Sequence, residues 1–243
     1  MKNVYLNAWE SVDLEQGIDP SLSALPLFRR MTPLQKSVLL AVWSLNQRWP
    51  GTLERLQEFA APIYFTSAYG ELGAMLRVTQ TIHAQQWPVS PKDFQHSVLN
   101  AALAYLAMSH QWHQPAFAIS GGFTAADSSL FLATQRIAGG TELCNVLVHA
   151  GETHRNSVDG AQAEVLICSD QAWSPLSYRL AKQSWTRRDK VGPPLPHTQA
   201  ARIFREEASD LTVPWLLEDK APILHRHIET QLGQVLVTEW QKQ

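Results

Sequence analysis

Pro115 to Gly140 reads PAFAISGGFTAADSSLFLATQRIAGG, and the order of residue types in this stretch decides the fold class. A short apolar run ends in small residues, two glycines follow, and an amphipathic segment then closes on the pair Gly139-Gly140. Such a run suits a strand, and glycine commonly ends a helix because it accepts the left-handed backbone there. The stretch therefore predicts strand, tight turn and helix, the building unit of a layered α/β protein.

Working outward, the same alternation continues on both sides. Val4 to Trp9 reads as a strand, followed by a polar, proline-containing loop to Arg30. Thr32-Pro33 opens a helix, with Thr as N-cap, Pro in the first turn, and Leu34, Val38, Leu39 and Val42 on one face. PIYFTS (62–67) is a compact β-run, and Tyr69-Gly70 turns the chain into a helix from about Glu71 to Gln86. Ser90-Pro91 caps a third helix, expected from about Asp93 through SVLNAALAYLAMSHQ. After Gly140, Leu143 to Val148 and Ala163 to Cys168 read as strands separated by a polar turn, GETHRNSVDG (151–160). The last third changes character. Trp173 to Pro196 is basic and proline-bearing and reads as irregular; a helix is expected at 198–207, HRHIE (225–229) reads as helical, and GQVLVTEW (233–240) reads as an edge strand. This alternation argues for a layered α/β sheet.

Composition narrows the function classes. A net charge of -2 with 17% charged residues makes no electrostatic case for nucleic acid. MKNVYLNAWE lacks the apolar core of a signal peptide, and no window approaches ~18 uninterrupted apolar residues, so no transmembrane segment and a cytoplasmic location are expected. Cys144 and Cys168 lie inside apolar runs and read as reduced, buried strand residues. His149, His154, His225 and His227 have no cysteine or carboxylate cluster to complete a metal site, and neither metal nor cofactor is expected. A Ser-His-Asp hydrolase built on Ser120 and His154 lacks the G-x-S-x-G elbow.

Five phrases, in order, carry a resemblance: RRMTPLQKSVLLAVW (29–43), FTSAYGEL (65–72), SPKDFQHSVLNAALAYLA (90–107), the 115–140 stretch and DGAQAEVLI (159–167). Together they resemble the β-ketoacyl synthase N-terminal-like family, which includes the chain-length factors of type II polyketide systems, aryl polyene clusters among them. The resemblance implies the N-terminal half of a thiolase fold, a layered α-β-α half fold with a mixed sheet, truncated relative to a full ketosynthase and forming one domain over 1–243 with 173–243 a divergent extension. In active members the turn of the strand–turn–helix unit holds a catalytic Cys, whose thiolate a helix N-terminus favours. Aligned from Pro115 to Gly140 without a gap, that position falls on Phe123, which cannot form a thioester. The second half, which supplies two histidines and a lysine, has no counterpart here.

The function implied is that of a non-catalytic subunit paired, as a heterodimer or larger assembly, with an active β-ketoacyl synthase and visited by acyl carrier protein. It would shape the chain tunnel in type II polyketide (aryl polyene) or fatty-acid-like biosynthesis. The helix after Gly70 carries Leu72, Met75, Leu76, Thr79 and Ile82 at i, i+3, i+4 spacing. Such a stripe ordinarily faces a core, and the resemblance makes Leu72, Met75, Leu76 and Thr79 tunnel and chain-length candidates. Asp93, Phe94 and Asn100 are the partner-interface candidates; the residues alone favour Asn100 satisfying backbone groups within its helix. The basic run Arg179 to Lys190 is a candidate dock for an acidic carrier. The alternatives are a scaffold of the same degenerate fold, recruiting carrier protein without controlling chain length, and a self-sufficient acyltransferase or hydrolase using unrelated residues.

Overall fold

In a computed structural model, which describes residues 2–14, 20–23, 25, 27–84, 88–120, 125–155, 158–174, 177–187, 223–229 and 234–242, the first long helix starts where its sequence signal lies. Thr32 accepts from the Gln35 amide N–H at 3.2 Å, and the Gln35 side chain accepts from Thr32 N–H at 3.2 Å. This reciprocal capping box satisfies two otherwise orphaned donors, and Pro33 occupies the first turn.

The elements run in chain order as strand β1 (Tyr5–Asp13), helix α1 (Pro20–Ser23), a 3-10 turn (Phe28–Arg30), α2 (Pro33–Arg48), α3 (Thr52–Glu58), β2 (Ile63–Ser67), α4 (Leu72–His83), α5 (Pro91–His96), α6 (Ala101–His110), β3 (Ala116–Ser120), α7 (Ala125–Ala138), β4 (Cys144–Arg155), β5 (Val158–Ser169), β6 (Tyr178–Arg187), β7 (Ile223–Glu229) and β8 (Gln234–Lys242). One eight-stranded mixed sheet has the order β3-β2-β4-β5-β1-β6-β8-β7. β2 runs parallel to both β3 and β4, and the remaining pairs are antiparallel. Helices α2, α3 and α6 pack on one face and α7 on the other.

Side chains of the central strands alternate between two cores. Ile63, Phe65, Val146, Val148, Val165 and Ile167 join Leu34, Val38 and Leu45 of α2. Tyr64, Leu147, Leu166 and Cys168 join Leu130 and Ile137 of α7 on the opposite face. Strands covered on both faces read as continuous apolar runs, which is why this part of the sheet was legible. Cys144 and Cys168 are free and buried.

Several expectations need correction. The third helix is two: α5 ends at His96 and α6 begins at Ala101. Ser97 Oγ donates to Phe94 O at 2.8 Å, a local bond that competes with the helix. Asn100 consequently sits at the α6 N-cap, exposed and with no side-chain cap bond, instead of inside a helix. The polar segment 151–160 is not a simple turn, because β4 and β5 stay paired out to Arg155↔Val158. The irregular region contains β6, stabilised by pairing with β1 and β8. HRHIE lies in strand β7, and β8 lies inside the sheet between β6 and β7 instead of at its edge. Phe123 and the helix expected at 198–207 lie outside the described residues.

Candidate functional site

The parallel strands β2 and β3 end side by side, paired Ser67↔Ser120, and the turn into α4 follows the C-terminal end of β2. Beyond β2, Ser67 Oγ accepts from Gly70 N–H at 3.0 Å. Gly70 has φ +65°, and a Cβ there would lie 3.1 Å from Leu99 Cδ1. The turn therefore favours glycine for its backbone, and a Cβ there would press on Leu99. Ser120 donates to Ala68 O at 3.2 Å, tying the end of β3 to the same turn. That hydroxyl holds the turn, and the sequence around it lacks the G-x-S-x-G pattern.

Helix α4 leaves this turn with its stripe facing outward. Ala74 is its one buried residue. Leu72 is half-buried, while Met75 (46% exposed), Leu76 (47%), Thr79 and Ile82 face solvent. The spacing found an apolar face, but that face is not against the core. Arg77 joins α4 to α5 through Asp93 at 3.2 Å, and beside it Phe94 is 64% exposed. The structure thus gathers Leu72, Met75, Leu76, Thr79, Asp93 and Phe94 on neighbouring elements, and Asn100 lies past the turn that follows. Tyr69 and Val98 add to the exposed apolar area. β3, at the sheet edge, pairs with β2 alone and exposes Ala116 and Phe117, with Phe117 stacked at 5.1 Å on Tyr64.

Beneath α4 lies a polar cluster that the sequence reading missed. Glu71 (0% exposed) accepts at Oε1 from Gln35 Nε2 at 2.6 Å, and the same nitrogen lies 3.0 Å from His96 Nδ1. Its Oε2 is buried and makes no hydrogen bond of ordinary geometry. Burial pushes the Glu71 carboxyl up to about 7, against the pull of Thr32 and Gln35, and the nearby Glu152 carboxylate pushes the same way. Burial also lowers His96, keeping it neutral, with Lys92 acting in the same sense. His96 (2% exposed) stacks on Tyr105 at 5.8 Å. Glu152 accepts from Gly73 N–H at 2.7 Å, anchoring the first turn of α4. The available signal was a lone carboxylate, Glu71, in the apolar phrase FTSAYGEL.

Neither cysteine offers a nucleophile. Cys144 and Cys168 lie in β4 and β5, pointing into opposite cores, and burial raises both thiols, Cys168 to about 12. A thiol in such surroundings is inert. His149 is buried with Nδ1 2.8 Å from Thr66 Oγ1. Among the described residues, no group of three His, Cys, Asp or Glu could hold a metal ion. Among them also, no helix is long and apolar enough to cross a membrane.

Solved structures share this fold. One chain of a ketosynthase in complex with its chain length factor, from Xenorhabdus doucetiae, superposes with TM-score 0.63 at 18% identity, covering 99% of this chain and 100% of that one. The ishigamide ketosynthase/chain length factor gives 0.71 at 12% identity, with 99% of each chain covered. A type II polyketide acyl-carrier protein in complex with its ketosynthase (AntDE:AntF) gives 0.72 at 10% identity over all of both chains. These likenesses establish the thiolase-like ketosynthase fold. No curated protein matches the sequence. The model of the β-ketoacyl synthase N-terminal domain matches residues 7–181, and the chain belongs to that family.

Proposed function

We propose that this chain is a non-catalytic, chain-length-factor-like subunit that pairs with an active β-ketoacyl synthase and forms one wall of its acyl-chain tunnel. The observation that carries the reading is the outward apolar face of α4, α5 and the turns that flank them, where Tyr69, Met75, Leu76, Ile82, Phe94 and Val98 are all exposed. Single exposed apolar residues are ordinary, but a group on two adjoining helices marks an interface. The edge strand β3 has free backbone groups next to the same turn, which suits a partner strand.

The inert burial of both cysteines supports a chain with no acyl-accepting thiol of its own. In this reading the partner's Cys takes the acyl chain. A malonyl-carrier loses CO2, and its carbanion attacks the thioester and releases the partner's thiolate. This chain contributes Leu72, Met75, Leu76 and Thr79 to the tunnel wall and Asp93, Phe94 and Asn100 to the contact surface. Bulk in the wall limits chain length because overpacking costs ~1–3 kcal/mol. We assign the pairing to cytoplasmic type II polyketide (aryl polyene) or fatty-acid-like assembly, with acyl carrier protein a transient visitor. Residues 1–243 act as one domain; the continuation of the sheet through β6 and β8 supports 173–243 as its extension.

The test is co-expression with a ketosynthase, then size-exclusion with mass measurement and labelling by an acyl-carrier substrate. A stoichiometric complex labelled on the ketosynthase alone is expected. A stable free monomer that ignores the ketosynthase overturns the reading. A complex whose product length ignores bulk at Met75 and Leu76 favours the scaffold alternative.

A further inference from the structure

Both amide hydrogens of Gln35 are committed. Its Oε1 accepts from Thr32 N–H in the capping box, and its Nε2 donates to Glu71 Oε1 while lying 3.0 Å from His96 Nδ1. An amide nitrogen offers two hydrogens, so the second is directed at His96 Nδ1, which must then be an acceptor on a neutral ring. Three side chains from α2, the start of α4 and the end of α5 therefore share one amide, and all three are buried.

Thr32 and Gln35 favour an ionised Glu71, but its Oε2 is buried and makes no hydrogen bond of ordinary geometry in this arrangement. The groups facing the pair are Thr32 and Gln35 from α2, Arg77 from α4, Lys92 and Asp93 from α5, and Glu152 from β4. Arg77 is engaged by Asp93, and Glu152 is a second carboxylate. Few other contacts hold α4: it buries Ala74, and its first turn is anchored by Gly73 N–H to Glu152. A helix with so little buried surface opens at low cost once an anchor is lost.

We infer that Glu71, Gln35 and His96 form a protonation-controlled latch that ties the α4–α5 face to α2 while Glu71 carries its proton and releases it when Glu71 ionises. Because this is the face assigned to the ketosynthase, and resting on that assignment, partner affinity falls as solution turns alkaline. The raised Glu71, at about 7, places the release near neutrality.

The experiment is hydrogen exchange with mass spectrometry on the dilute full chain, comparing native protein and E71Q at each pH, with ketosynthase affinity measured in parallel. Amides of 71–83 are expected to exchange alike in the two proteins at about pH 5.5 and ~tenfold or more faster in the native chain at about pH 8.5. Affinity is expected to weaken ~tenfold over the same interval for the native chain and by less than about twofold for E71Q. Equal exchange at every pH overturns the latch, whatever the binding data show. Divergent exchange with no ketosynthase binding at any pH leaves the latch standing and sinks the partner assignment. An infrared carboxylic-acid band in the native chain at about pH 6, where exposed carboxylates are ionised, tests the same proton without a variant; absence of that band also overturns the latch.

Discussion

Leu99 closes over Gly70: its Cδ1 lies 3.1 Å from where a Cβ on Gly70 would stand, and Gly70 has φ +65°. Gly51 separates the two costs, since it also has positive φ (+82°) but nothing within 4 Å of its Cβ position. G51A is expected to lose ~1–2 kcal/mol from the left-handed backbone alone. G70A carries the same backbone cost plus displacement of Leu99, for a total of ~2–4 kcal/mol. Denaturant midpoints for the two variants check the order, and equal losses would refute the packing part.

Asn7 is the extra residue where the β1–β5 register shifts between Leu6 and Ala8. Its side chain is buried and fully used. Nδ2 donates to Ser169 Oγ (2.7 Å) and Gln171 O (3.1 Å), while Oδ1 accepts from Trp173 N–H (2.9 Å) and Ser177 Oγ (2.7 Å). This bulge joins the β5 end to the segment leading into β6. N7A leaves several buried groups unpaired, each costing ~1–3 kcal/mol before relaxation. A loss of ~3 kcal/mol or more is expected, with a shift in Trp173 emission, because its ring stacks at 6.2 Å on Phe59 in the native protein.

These two sites also show what the sequence could reveal. β2, β4 and β5 were legible because both faces of each strand are apolar, and α2 because Thr32-Pro33 is a local signal. β6 and β7 were not, since their stability comes from pairing with β1 and β8, and charged residues in a strand resemble those of a loop. The α4 periodicity was legible, but periodicity does not say whether an apolar face is covered. Glu71, Gln35 and His96 escaped notice because the bonds span 36 and 61 residues, and no local motif records such distances. The break at Ser97 depends on one hydroxyl choosing Phe94 O over solvent.

Bulk on the outward face separates folding from partner effects. M75W and L76W sit at exposed positions, so each is expected to change stability of the free chain by less than ~0.5 kcal/mol. In a ketosynthase complex the same variants should shorten the product, read by mass spectrometry of released chains. F94A removes the most exposed large apolar side chain among the described residues. It should weaken the complex by ~1–3 kcal/mol, as central aromatic anchors do. An unchanged dissociation constant for F94A would remove α5 from the interface.

Glu71 gives stability a dependence on pH whose sign is fixed by its environment. Its folded value, about 7, lies above the ordinary carboxylate value of 4.5, so the folded chain binds the proton more tightly than the unfolded chain. The contribution is fully present below about 4.5 and is lost as pH rises through about 7. Above both values the loss reaches on the order of 3 kcal/mol. His96 acts with the opposite sign: burial lowers it, so its contribution holds above the ordinary imidazole range and is lost on acidification. E71Q keeps the bond to Gln35 and cannot ionise, which isolates the carboxyl from His96. The native chain should therefore lose stability relative to E71Q between about pH 5 and 8, by ~2–3 kcal/mol, in denaturant titrations at matched ionic strength. A constant difference across that interval would show that Glu71 holds no proton in the fold, and its burial would then need a cationic partner.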